Sequence, residues 1–205
     1  LVYTSGPKVG QRVPVRQFTA YYRGFAGQTT HAGSQALPAG VRLVAQDMVG
    51  YGLSGWTCGA MSSVTGGLDF IPDCSMEDGT AGNTLTAHVN FPSCWNGKAP
   101  GHPGDPGLEG VQDTEYGDTR DNADFTYPTN KTACPSTFPI EVVQLRETIQ
   151  YAYTGNGSDV ALTSDHEVRP GASFHVDFFN SWDQPGFVKY VADCVQSAEE
   201  PACAP

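Results

Sequence analysis

The chain has 205 residues, with 11 Lys or Arg against 22 Asp or Glu and a formal net charge of −11. That balance argues against nucleic acid and anionic lipid surfaces as partners, because both are held by clustered basic side chains. Hydrophobic residues at 39%, ten Phe, 24 Gly and 15 Pro describe a core-forming chain cut by many turns, and no apolar run approaches the roughly 18 residues of a membrane span.

A chain of this size suits one domain, residues 1–205, with a single core. The start, LVYTSGPKVG, has neither the charged nor the apolar region of a signal peptide, so a secreted form is expected to have lost its signal already. RVPVRQFTAYYR (12–23) is rich in β-branched and aromatic residues and reads as a strand, as does GVRLVAQDMV (40–49) after a Pro-Ala-Gly turn. TLTAHVNF (84–91) alternates, with Leu85, Ala87, Val89 and Phe91 on one face and Thr84, Thr86, His88 and Asn90 on a polar face.

Residues 96–135 have almost no apolar periodicity and are crowded with Gly, Pro, Asp and Asn, which marks a long loop excursion. IEVVQLRETIQYAY (140–153) has the β-branched and aromatic content of one long strand. GASFHVDFFNSWD (171–183) places Phe174, Val176 and Phe178 on one face of an extended segment and Ser173, His175 and Asp177 on the other. The one helix expected spans about 185–195, with Pro185 in its first turn and apolar residues at Phe187, Val188, Val191 and Val195. Strand-period segments between turn clusters predict a mainly β, disulfide-stapled domain, a β-sandwich or jelly roll with long loops and one short C-terminal helix.

Six cysteines form an even set without CxxC spacing, and sequons stand at Asn130 and Asn156. Both features point to an oxidising, extracellular route, with glycans on the two asparagines. Fifteen pairings are open; local closure favours Cys58 with Cys74, Cys94 with Cys134 and Cys194 with Cys203, each contributing about 3 to 4 kcal/mol by chain entropy.

LPAGVRLVA, GWTC, IPDC, HVNFPSCWNGK, YPTNKTACPSTFPIEV and SFHVDFFNSWD occur in this order, followed by Cys194. In this the chain resembles the DUF1996 family, a domain of secreted fungal and actinobacterial proteins. The resemblance covers nearly the whole chain and implies an extracellular, predominantly β domain without an established molecular function. Relatives usually carry a His-rich segment ahead of the region where this chain begins, and two further family histidines read Asp124 and Phe138 here. His175 and Asp177 match the family's H-x-D-F-x-N-x-W-D element and carry over as site candidates.

His175 and Asp177 are expected about 7 Å apart on one strand face, where a general acid/base pair or two ligands of one ion would sit. His88, from the polar face of another strand, is the natural third metal ligand. No cofactor is firmly implied; a divalent metal is the one that this residue set admits. Trp182, flanked by Asn180 and Asp183, and Trp95 offer flat faces for sugar rings. The sequence contains no G-x-S-x-G, HExxH, P-loop or dinucleotide-binding motif.

Two functions follow. The first is a non-catalytic secreted module of a cell surface, matrix or filament, with polysaccharide or self-association as its partner. The second is a secreted carbohydrate-active hydrolase or lyase working at the His175 and Asp177 face.

Overall fold

The computed structural model describes residues 1–28, 31–45, 54–59, 70–79, 83–98, 124–129, 133–165, 171 and 173–197. The expected class holds: the chain is mainly β, with several antiparallel sheets, disulfides and one short C-terminal helix, consistent with a β-sandwich. The strands are β1 (Val2–Tyr3), β2 (Val15–Arg23), β3 (Arg42–Ala45), β4 (Gly55–Cys58), β5 (Leu85–Asn90), β6 (Cys94–Trp95), β7 (Phe125–Thr126), β8 (Ile140–Glu141), β9 (Gln144–Tyr151), β10 (Val160–Ala161) and β11 (Val176–Phe179). They form a four-stranded sheet in the order β2-β9-β5-β4, a three-stranded sheet β7-β6-β8, and the pairs β1-β10 and β11-β3. Among the described residues no helix is long and apolar enough to cross a membrane.

By its contacts the chain divides into two compact units: 1–20, 46–90 and 147–176 form the first, and 21–45, 91–146 and 177–205 the second. Each is assembled from three separate stretches, so neither is continuous in sequence.

In the first unit, β4 and β5 run antiparallel with Gly55 opposite His88, Trp56 opposite Ala87, Thr57 opposite Thr86 and Cys58 opposite Leu85. Opposed residues share a face. Trp56, Leu85, Ala87 and Val89 therefore make the apolar side, and Trp56 meets Tyr151 and Phe174 with ring centroids 5.9 and 5.1 Å apart. The other side, Thr57, Thr86, His88 and Asn90, is also buried. The polar side read from the alternation of β5 is thus buried as well: the strand is covered on both sides.

In the second unit, Phe25, Leu37, Leu43, Phe91, Val143, Leu145 and Phe187 are fully or almost fully buried. The single strand expected over 140–153 is two, β8 and β9, interrupted at Val142 and Val143. There the chain changes partners: Val142 N–H bonds to Ser93 O and Val143 N–H to Gln35 O, and both valines are fully buried.

The Cys58–Cys74 and Cys94–Cys134 disulfides form as expected, closing separations of 16 and 40 residues; the chain-entropy model gives about 3 and about 4 kcal/mol. Cys194 is also disulfide-bonded. Its expected partner Cys203 lies outside the described residues, as do Asn130 and most of the 96–135 excursion. The helix begins where expected: α1 (Gln184–Tyr190) has Pro185 in its first turn, and continues through a wider π-type turn over Val191–Val195.

Candidate functional site

The H-x-D-F-x-N-x-W-D stretch, His175 to Asp183, is where the sequence places the site. Its approach is fixed by Asp165, which takes hydrogen bonds from the backbone N–H groups of Leu162, Gly171 and Ser173 and from Ser173 Oγ, at 2.7 to 3.0 Å. Burial raises the pKa of this carboxyl, but the hydrogen bonds from Gly171, Ser173 and Leu162 favour the charged form and hold it below the usual carboxylate range.

Beyond this lasso the alternation read from sequence holds. Phe174 is buried, Val176 and Phe178 are half-buried, and His175, Asp177 and Phe179 are exposed. Phe178 meets Phe91 and Tyr22 edge-on, with ring centroids 5.9 and 6.4 Å apart. His175 Nδ1 lies 3.0 Å from Ser173 O. A carbonyl only accepts, so Nδ1 carries the proton.

His88 does not join them as a metal ligand. Its Nε2 is 2.9 Å from Thr57 Oγ1 and its Nδ1 is 3.2 Å from Thr148 Oγ1. Thr57 donates its own proton to Gly59 O at 2.6 Å, so Nε2–H must be the donor to Thr57, and Nδ1 accepts from the Thr148 hydroxyl. Both ring nitrogens are thus engaged by hydroxyls within the buried layer. Among the described residues no group of three His, Cys, Asp or Glu is placed to hold a metal ion.

Asn180 is also structural. It is 2% exposed; its Nδ2 donates to Leu37 O at 3.0 Å and Pro38 O at 2.7 Å, and its Oδ1 accepts from Trp182 N at 3.3 Å. Its backbone N–H reaches Val41 O, and its carbonyl accepts from Gly40 N–H. One buried amide therefore ties the end of β11 to the 37–41 turn. Asp183 is the N-cap of α1, accepting from Gly186 N–H at 3.0 Å.

Trp182 remains 45% exposed. Its Nε1–H donates to Tyr22 Oη at 2.9 Å, and its ring stacks on Phe187 and Tyr190. Trp95 stacks on Phe125 with centroids 6.1 Å apart, and its Nε1–H is taken by Lys98 O at 2.9 Å. The indole lines a groove of about 480 Å³ together with Gln35, Pro38, Gln184, Val188 and Gln196. Sequence reading missed the three glutamines; they stand 149 and 12 positions apart, and no local pattern joins them.

Asn156, the second sequon, is exposed and caps a 3-10 turn over Gly157–Asp159. Its Oδ1 accepts from Ser158 N and Ser158 Oγ, both at 2.9 Å. Between them Gly157 lies so close to the main chain that a Cβ would stand 1.9 Å from Ile71 O.

A family model described as a domain of unknown function, DUF1996, matches residues 2–182. No curated protein and no solved structure matches the chain.

Proposed function

We propose, from the premise that the chain belongs to the DUF1996 family, that it is a non-catalytic secreted module of a cell surface, matrix or filament. The observation that carries this reading is how the matching element spends its polar atoms. Asn180 gives its amide to the Leu37 and Pro38 carbonyls, Asp183 caps α1, and Trp182 donates to Tyr22. A catalytic constellation directs such groups at a reacting atom; here they direct them at the main chain and at a neighbouring ring. The two described disulfides support an oxidising compartment. Polysaccharide or further copies of the chain are the partners that such a module would bind.

The rival reading, a carbohydrate-active hydrolase or lyase, is favoured by the exposure of His175 and Asp177 on the same outward side. The two separate in one experiment. The purified chain is incubated with a panel of soluble polysaccharides, and reducing ends and unsaturated products are measured. The module reading expects no product above a heat-treated control. Product that disappears in both His175→Ala and Asp177→Ala, with melting temperatures unchanged, would overturn it.

A further inference from the structure

The groove beside Trp95 combines apolar and carboxamide side chains. Charged residues make up 16% of the chain, yet none lines the groove among the described residues. Its polar groups are carboxamides, and two of them are set in place by the fold. Gln184 Nε2 donates to Leu37 O at 3.0 Å while its Oε1 receives the Asn180 amide at 3.4 Å. Gln196 Nε2 donates to Ser34 O at 2.7 Å. Each keeps a second N–H and an oxygen lone pair. Gln35 is exposed and makes no side-chain hydrogen bond among the described residues.

The apolar part is equally specific. Because Lys98 O takes the indole N–H and Phe125 packs on the ring, Trp95 offers the groove carbon surface and no donor. Val188, 51% exposed on α1, adds aliphatic surface. The π-type turn assists: Gln196 N–H bonds back to Val191 O, five residues earlier, which places Gln196 over Val191, another lining residue.

A guest for this surface must be uncharged, present an apolar C–H face to the indole, and carry groups that both donate and accept. Sugar rings do all three. A proline-rich peptide suits it less well, since proline has no N–H and would leave the glutamine oxygens unmatched. The volume lies within the range of about 300 to 1,000 Å³ typical of small-ligand sites. We propose that this groove binds a neutral oligosaccharide, with Trp95 as its platform and Gln35, Gln184 and Gln196 as its hydroxyl readers. The net charge of −11 adds selectivity against uronic acid and sulfated chains. Neither His175 nor Asp177 is among the residues that line the groove, so the proposal stands independently of whether that pair is catalytic.

The test titrates the full chain with cellohexaose, laminarihexaose, mannohexaose and N-acetylchitohexaose, with hexagalacturonate and a proline-rich decapeptide as controls, following tryptophan fluorescence and side-chain amide NMR signals. At least one neutral hexaose should bind. Gln35→Ala should weaken it fivefold or more, and Ala192→Arg, which projects a long side chain into the groove from an exposed position, should abolish it. Both positions are on the surface, so unchanged melting temperatures are expected and are measured. Absence of neutral-sugar binding, binding that survives Ala192→Arg, or tighter binding of either control would overturn the proposal. Binding accompanied by release of reducing ends would keep the groove and overturn the non-catalytic reading; loss of the groove alone leaves that reading standing.

Discussion

His88 and Thr57 face each other across neighbouring strands with Nε2 and Oγ1 2.9 Å apart, and the Thr57 proton is committed to Gly59 O, so the ring is locked as the Nε2–H tautomer. Thr148 completes the arrangement at Nδ1. Thr148→Val should therefore remove a buried hydrogen bond to the ring and destabilise the chain by about 0.5 to 1.5 kcal/mol, read as a lower urea midpoint at unchanged slope. Adding zinc to the wild type should leave its melting temperature unchanged. A zinc-dependent rise that disappears in His88→Gln would contradict the structural role.

Asn180 should be among the most sensitive polar positions. Asn180→Ala removes one donor each from the Leu37 and Pro38 carbonyls, which keep Gln184 Nε2 and the Val41 N–H as partners, at a cost of about 0.5 to 1.5 kcal/mol for each hydrogen bond lost. Asn180→Asp should be worse than Ala, because it sets carboxylate lone pairs against two carbonyl oxygens. Thermal unfolding ranks the three; equal melting temperatures for wild type and Ala would mean that this amide does not hold the 37–41 turn.

Stability should depend on pH at both extremes. Asp165 is favoured in its charged form in the folded chain, so its contribution is complete above the ordinary Asp value of about 4 and is lost as pH falls through its lower folded value. The stability gap between wild type and Asp165→Asn should narrow as pH drops from about 5 towards 2. At the other end, burial pushes the Tyr151 hydroxyl up to about 12. The folded chain keeps that proton when the unfolded chain has lost it, so stability is full below about pH 10 and falls as pH rises through 12. Tyr151→Phe should remove this part of the alkaline loss in denaturation curves taken across that range.

Asn156 should carry a glycan when the chain passes through a eukaryotic secretory route. The residue is exposed, Ser158 engages its Oδ1 twice, and Nδ2 has no partner among the described residues. Peptide mass analysis before and after glycosidase treatment reads occupancy directly. An unmodified Asn156 peptide from such a host would count against both the site and the secretory assignment.

What the sequence made legible was local. The facing of residues 173–178 followed from period 2, the start of α1 from Pro185, and two disulfides from local closure. What stayed hidden depends on partners far along the chain. Alternation puts His88 on a polar side of β5, but that this side is covered depends on Thr148, 60 positions later. Asn180 looks like a ligand residue beside an exposed Trp until its bonds 142 and 143 positions upstream are known. The break at Val142 and Val143 arises from a change of partner segments, which composition does not encode.

The wide turn after α1 also bears on how much length variation this end of the chain tolerates. In a regular α-helix, residues five apart point about 140° away from each other, whereas residues four apart are about 40° apart. The Val191–Val195 turn holds one residue more than an α-turn and still sets Gln196 over Val191. Deleting one residue from it would let the backbone close to ordinary α geometry with those two side chains still on one side. Adding one would exceed what the turn already absorbs and swing Gln196 off the groove. Relatives one residue shorter here are therefore expected to keep the groove, and relatives one residue longer to lose it.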